Sequence, residues 1–279
     1  MKKNIILVLL FCLGVQGFAQ RKPKIKGNRN VTESTENLPR FTEIQLEDDI
    51  DVLIQKGSQE SVTIEADDNL MDVLKFSVSD GTLYISSFYN ITSKKKLNIT
   101  VFYTELEALT LSNGLITMKD VITSEYLDVK ASGASRLILN ASADVINIQM
   151  EENSSGDFNV ASDSLNLTFK DRIDAKVYAT GQKNTLLMYK NASVKMEGNT
   201  AVFTAKLYGN STLKAEEFKA VTMLLESEDS PDAKVYVMDE FKLSSKGTSK
   251  TSLYGNPKIT ILEFLDTSQL HKENKEEAN

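Results

Sequence analysis

The sequence predicts an all-β chain: a parallel β-solenoid, right-handed in expectation, behind an N-terminal β-rich cap. Three observations carry this. Short runs of alternating apolar residues recur at roughly 19-residue intervals, beginning at Leu127, Ile146, Leu165, Leu186, Phe203, Val221, Phe241 and Ile259. A second series lies between them, at Ile116, Leu137, Phe158, Val177, Val194, Leu213, Val235 and Leu253. Members of that second series follow small or turn-forming clusters such as Ser132-Gly133-Ala134-Ser135, Ser154-Ser155-Gly156-Asp157, Asn191-Ala192-Ser193 and Gly247-Thr248-Ser249. One period therefore reads as strand, turn, strand, turn.

The chain opens with Lys2-Lys3, a short apolar run from Ile5 to Leu13, and Gly17-Phe18-Ala19 before the polar Gln20. That pattern predicts a secretory signal peptide over residues 1–19. The run is well short of the ~20 apolar residues of a membrane span. Cys12 is the single cysteine; Phe11 precedes it and apolar sequence continues past it, unlike a lipoprotein signal. Without the leader, the chain has no cysteine for disulfides or thiol chemistry. Its formal charge of -7 becomes -9 on losing Lys2 and Lys3. An acidic protein without a basic stripe is expected to be a poor partner for nucleic acid or an anionic membrane.

Residues 20–40 carry Lys22, Lys24, Lys26 and Arg29 between Pro23 and Pro39, with no apolar period. They read as a linker or loosely attached arm. Residues 41–105 read as a β-rich cap. Ile50–Ile54 leads to a turn at Lys56-Gly57-Ser58, and Ser61–Glu65 alternates as a strand. Asp68 to Leu74 is expected to form a short helix capped by Asp68. Phe76–Val78, the Asp80-Gly81 turn and Leu83–Ile85 read as a hairpin. Leu97–Val101 adds a strand, and Lys94-Lys95-Lys96 before it reads as a solvated turn.

Phe41–Ile44, Asp51–Gly57, Ala66–Leu70 and Val78–Ile85, taken in order, resemble the opening of the GIN-domain family, head domains of autotransporter-adhesin-like envelope proteins. The resemblance runs from Phe41 to Leu265. It implies a parallel β-solenoid behind a β-rich cap, and it brings no catalytic residues with it. The Gly-x-Ser/Ala signature that the family implies is clear at Gly133-Ala134-Ser135 and blurred at Arg172-Ile173-Asp174, so the later coils are expected to be irregular.

Over residues 106–265 the repeats have a physical logic. A strand buries alternate side chains, and stacked coils cover one another at ~4.8 Å spacing, so about eight coils make a rod of roughly 38 Å. The expected inward residues are Leu127, Val129, Ile146, Ile148, Leu165, Leu167, Leu186, Met188, Val221, Met223, Ile259 and Ile261. Around Phe203 the register stays open, because Val202 and Phe203 compete for the core. Residues 266–279 are charged and polar, and read as a disordered tail.

Little in this sequence carries chemistry. The single histidine, His271, sits in the expected tail, which removes histidine metal sites and histidine-based triads from the fold. No nucleotide-binding loop is present. Acidic clusters at Glu47, Asp48, Asp49 and Asp51, and at Asp67 and Asp68, offer oxygen ligands to Ca²⁺ without any calcium-loop spacing. Asp144, Asp157, Asp163, Asp171 and Asp174 are candidates for paired acids of a carbohydrate-cleaving β-helix, but they fall at scattered coil positions. No catalytic, cofactor or metal residue is assigned. The expectation is an exported, periplasmic or extracellular, non-catalytic binding or adhesin-like module of the bacterial envelope, whose partner is an envelope or surface protein or glycan. The alternatives are an envelope scaffold that works through a protein partner, and a carbohydrate-active enzyme. Aromatic platforms on an exposed sheet would favour a glycan, an apolar patch a protein, converging acids catalysis.

Overall fold

The computed structural model describes residues 22–274; the leader expected over residues 1–19 lies outside them. About 70% of the described residues are strand, wound into a β-solenoid of about nine turns.

The N-terminal part contains β1 (Lys24–Lys26), β2 (Val31–Asn37), β3 (Glu43–Leu46), β4 (Asp51–Lys56), β5 (Ser61–Asp67), α1 (Asp68–Met71), β6 (Leu74–Ser79), β7 (Thr82–Ser87), β8 (Asn90–Ser93) and β9 (Leu97–Tyr103). The arm read as a linker is ordered: β1 pairs with β8, and β2 lies antiparallel to β5. Its strands lack an apolar period because β2 is an edge strand exposed along nearly its whole length. The hairpin is β6–β7, turned at Asp80 and Gly81, both with positive φ, as a tight two-residue hairpin turn requires. The helix is shorter than expected, and its N-cap is Asp67, not Asp68.

The coils continue through β10 (Ala108–Leu111), β11 (Leu115–Met118), β12 (Ile122–Ala131), β13 (Arg136–Met150), β14 (Ser155–Phe169), β15 (Asp174–Met188), β16 (Ser193–Gly209), β17 (Thr212–Asp229), β18 (Asp232–Ser245), β19 (Lys250–Tyr254), β20 (Lys258–Phe264) and β21 (Gln269–Lys272). The stack does not follow chain order at its start. β3 pairs in parallel with both β7 and β10, and β4 with both β9 and β11. Part of the segment read as a cap thus builds a coil of the stack, while β2, β5, β6 and α1 close its end. At the other end β21 pairs with β19 and carries His271, so the tail begins later than its composition suggests.

The core is a set of columns. Leu109, Val129, Ile148, Leu167, Leu186, Ala205, Leu225 and Leu243 stack in register and are all buried. Each Val, Leu or Ile side chain in it contributes about 1.5–3 kcal/mol before entropy is counted. A second column runs Leu127, Ile146, Leu165, Asn184, Phe203, Met223 and Phe241. Phe203 points inward and Val202 outward. Three expected inward positions are corrected. Val221 is only partly buried, because bulges around Ala215–Lys219 and Ala220–Thr222 shift the register. Ile259 and Ile261 lie in the inward columns but stay 42% and 46% exposed, since no coil among the described residues covers them. The irregular later coils are these bulges in β16–β18.

One corner of the coil sets the period. Gly114, Gly133, Glu152, Asp171, Lys190, Gly209, Asp229, Gly247 and Asp266 all have positive φ and follow one another from coil to coil. At Gly133 a Cβ would lie 2.0 Å from the Ser112 carbonyl oxygen, so the approach of the coil below requires glycine there.

Candidate ligand-binding surface

The acids singled out in the sequence resolve into structural roles. Asp67 is fully buried and accepts hydrogen bonds from the backbone amides of Arg29, Lys95 and Lys96 at 3.2, 3.0 and 3.2 Å. The Lys95 amide is the main cause holding its carboxyl below the ordinary aspartate range, against the opposing effect of burial. The lysine triplet is therefore a clamped turn whose Lys95 and Lys96 amides hold Asp67. Asp68 takes the side-chain amides of Asn28 and Asn30, which lower its pKa in turn. Asp48 is bound by Lys22 Nζ at 2.6 Å and by the Ser87 amide at 2.7 Å. That pair lies in a cleft of about 580 Å³ beside Asp49, Tyr89 and Asn90, so the carboxylate there is already neutralised by its neighbours. Among the described residues, no group of three or more His, Cys, Asp or Glu side chains is placed to hold a metal ion.

Of the aspartates on the coils, Asp144 and Asp163 come together, lining one shallow depression with Ser124, Ser142, Ser162 and Thr180. Asp157 pairs with Arg136 at 3.1 Å. Asp171 pairs with Lys190, which holds its pKa low. Asp174 stands apart from these depressions, on the outward column Ser155, Asp174, Ser193.

The surface with the richest binding chemistry is a groove of about 280 Å³ across β13–β16. Strand alternation places Asn140, Asn159, Tyr178 and Glu197 in one outward column and Asp157, Lys176 and Lys195 in the next. Tyr178 is 50% exposed, a large flat ring with polar groups on the coils to either side. The lysine column runs on to Lys214 and Lys234, which corrects the expectation of no basic stripe: lysines about 19 residues apart meet only once the coils stack. Like charges directly in register destabilise a sheet. Glu197 offsets this beside Lys195, 2.6 Å from its Nζ, and raises the lysine pKa. Such a groove can stack a planar or pyranose ring on Tyr178 and hydrogen-bond its substituents from both sides.

No member of this site belongs to a local sequence motif. Writing the sequence in coils aligned on the positive-φ corner brings Tyr178 and Lys176 beside Asn159 and Asp157. A neighbouring face shows the same principle: Asn166 donates to Asn147 at 2.9 Å, and Asn147 to the Tyr126 hydroxyl at 2.7 Å.

Comparison with known proteins agrees with the architecture. The sequence matches no curated protein. Among solved structures, it is similar to one described as a putative adhesin from Parabacteroides merdae, at 13% identity, covering 90% of this chain and 100% of that one, with a TM-score of 0.63. Another, described as a putative lipid binding protein from Parabacteroides distasonis, matches at 18% identity over 91% and 100%, with a TM-score of 0.56. A putative adhesin from the same species matches at 15% identity over 89% and 100%, with a TM-score of 0.54. At these identities the likeness is one of fold. The family model described as "Putative auto-transporter adhesin, head GIN domain" matches residues 40–170 and 152–257. The chain belongs to this GIN-domain family.

Proposed function

We propose that the protein is a non-catalytic, adhesin-like binding module of the bacterial cell envelope that holds an extended glycan across several coils. The observation that carries this reading is the half-exposed Tyr178, in register with Asn159 and Glu197 and beside the column of Asp157, Lys176 and Lys195. An aromatic face gives contact area at low entropic cost, and the flanking groups fix orientation. The family description and the similar structures named as adhesins support a binding role. A second reading, carbohydrate cleavage, rests on Asp144 and Asp163 sharing one depression. Both are exposed, and the depression lacks the enclosed walls that would exclude water from a reacting bond.

The test is incubation of the purified protein with envelope polysaccharides and host glycans, reading retention and product release together. Retention without product supports the proposal. Cleavage that disappears in Asp144→Asn or Asp163→Asn overturns it in favour of the enzyme. Retention of a defined envelope protein, with no glycan held, shifts the reading to a scaffold.

A further inference from the structure

The two ends of the solenoid differ in chemistry, and this goes beyond the glycan groove. The N-terminal end is closed: Leu70, Val73 and Leu74 are buried over it, and the edge strand β2 shows solvent the polar run Thr32, Glu33, Ser34, Thr35 and Glu36. Among the described residues, the C-terminal end has no such cover. Ile259 stacks on Phe241, Ile261 on Leu243 and Phe264 on Ser245, yet all three remain more than 40% exposed. Leu262 and Leu265 beside them are 58% and 50% exposed. Among the described residues, β20 and β21 each pair on one side only. Repeat stacks require a polar terminal cap, and bare strand edges recruit partners.

We infer that this end is the interface of a two-fold, tail-to-tail dimer of the chain. A second copy fits for three reasons. Apolar meets apolar only when the same end is presented twice, whereas head-to-tail stacking sets this layer against the polar β2 edge. A two-fold axis runs β20 antiparallel to its copy, which supplies the ladder partners that the open edge lacks. The rim carries both signs, with Lys258 and Lys272 against Glu263 and Glu273, so two copies meet without a single-sign field. The end coil is also close in size to the ~20 residues that each side of a standard interface contributes.

The test is the mass of the purified protein by light scattering across the micromolar range. The expected result is twice the chain mass, falling to the single-chain mass in Leu262→Lys and in Phe264→Asp, both with unchanged strand content by circular dichroism. Leu265→Cys should form an intermolecular disulfide on oxidation, and Thr35→Cys at the far end should not. A single-chain mass throughout overturns the inference. So does a dimer that both variants leave intact, and so does cross-linking through Thr35→Cys. If the wild-type chain stays single and instead floats with neutral phosphatidylcholine vesicles, the apolar end is a lipid contact and the dimer is refuted. None of these readouts depends on glycan retention.

Discussion

The Glu152 carboxylate accepts a hydrogen bond from the Gly133 amide, 2.7 Å away and one coil earlier. The same reach-back recurs from Asp229 to Gly209 and from Asp266 to Gly247. An acid in the positive-φ corner of one coil therefore satisfies the corner amide of the coil before it. Gly133→Ala places a methyl against the Ser112 carbonyl and an L residue in a left-handed corner. The expected loss is about 2 kcal/mol or more, read as a lower urea midpoint. Glu152→Ala removes only an exposed acceptor and should cost about 0.5–1 kcal/mol.

Asn184 occupies an apolar column between Leu165 and Phe203, buried, with neither side-chain atom hydrogen-bonded. An unpartnered buried amide costs roughly 1–3 kcal/mol. Asn184→Leu keeps the branched shape, removes the unpaired amide and restores the apolar column, and should stabilise the protein by about 1 kcal/mol, seen as a raised melting temperature.

Leu167 sits between Ile148 and Leu186 and is 1% exposed. Leu167→Asp buries an unpaired carboxylate and should cost about 3 kcal/mol or more. Each coil buries its neighbour, so hydrogen exchange should accelerate in β13 and β15 as well as β14. Confinement of the change to β14 would contradict the nearest-neighbour account.

Asp67 ties the arm before β2 to the turn before β9 through three backbone amides. Its folded pKa lies below its unfolded value, so the unfolded chain binds the proton first as pH falls. The stability it contributes is complete above about pH 4 and is lost as pH drops through the lower folded value. Asp67→Asn should lower the urea midpoint at neutral pH and flatten the acid limb of stability against pH.

Alternation and period made the solenoid legible, because residues such as Leu127, Ile148 and Leu167 repeat where a stacked coil must bury them. Two things stayed hidden for physical reasons. The insertion of β3–β4 between β7–β9 and β10–β11 is a long-range pairing that local alternation cannot encode. The strand β2 pairs along an exposed edge, so its composition looks like that of a linker. Asn184 breaks the apolar column, so the apolar alternation of that run begins only at Leu186. The groove was hidden because Tyr178 and Asn159 meet only once coils are set in register.

The most direct test of the binding account is a titration of the protein with an extended glycan that it retains, comparing wild type with Tyr178→Ala. Loss of the stacking face should weaken binding roughly 10-fold or more while the fold and melting temperature hold, and shortening the glycan should weaken it further, because affinity is summed over coils. Unchanged affinity in Tyr178→Ala, or full affinity for a single sugar unit, would contradict it.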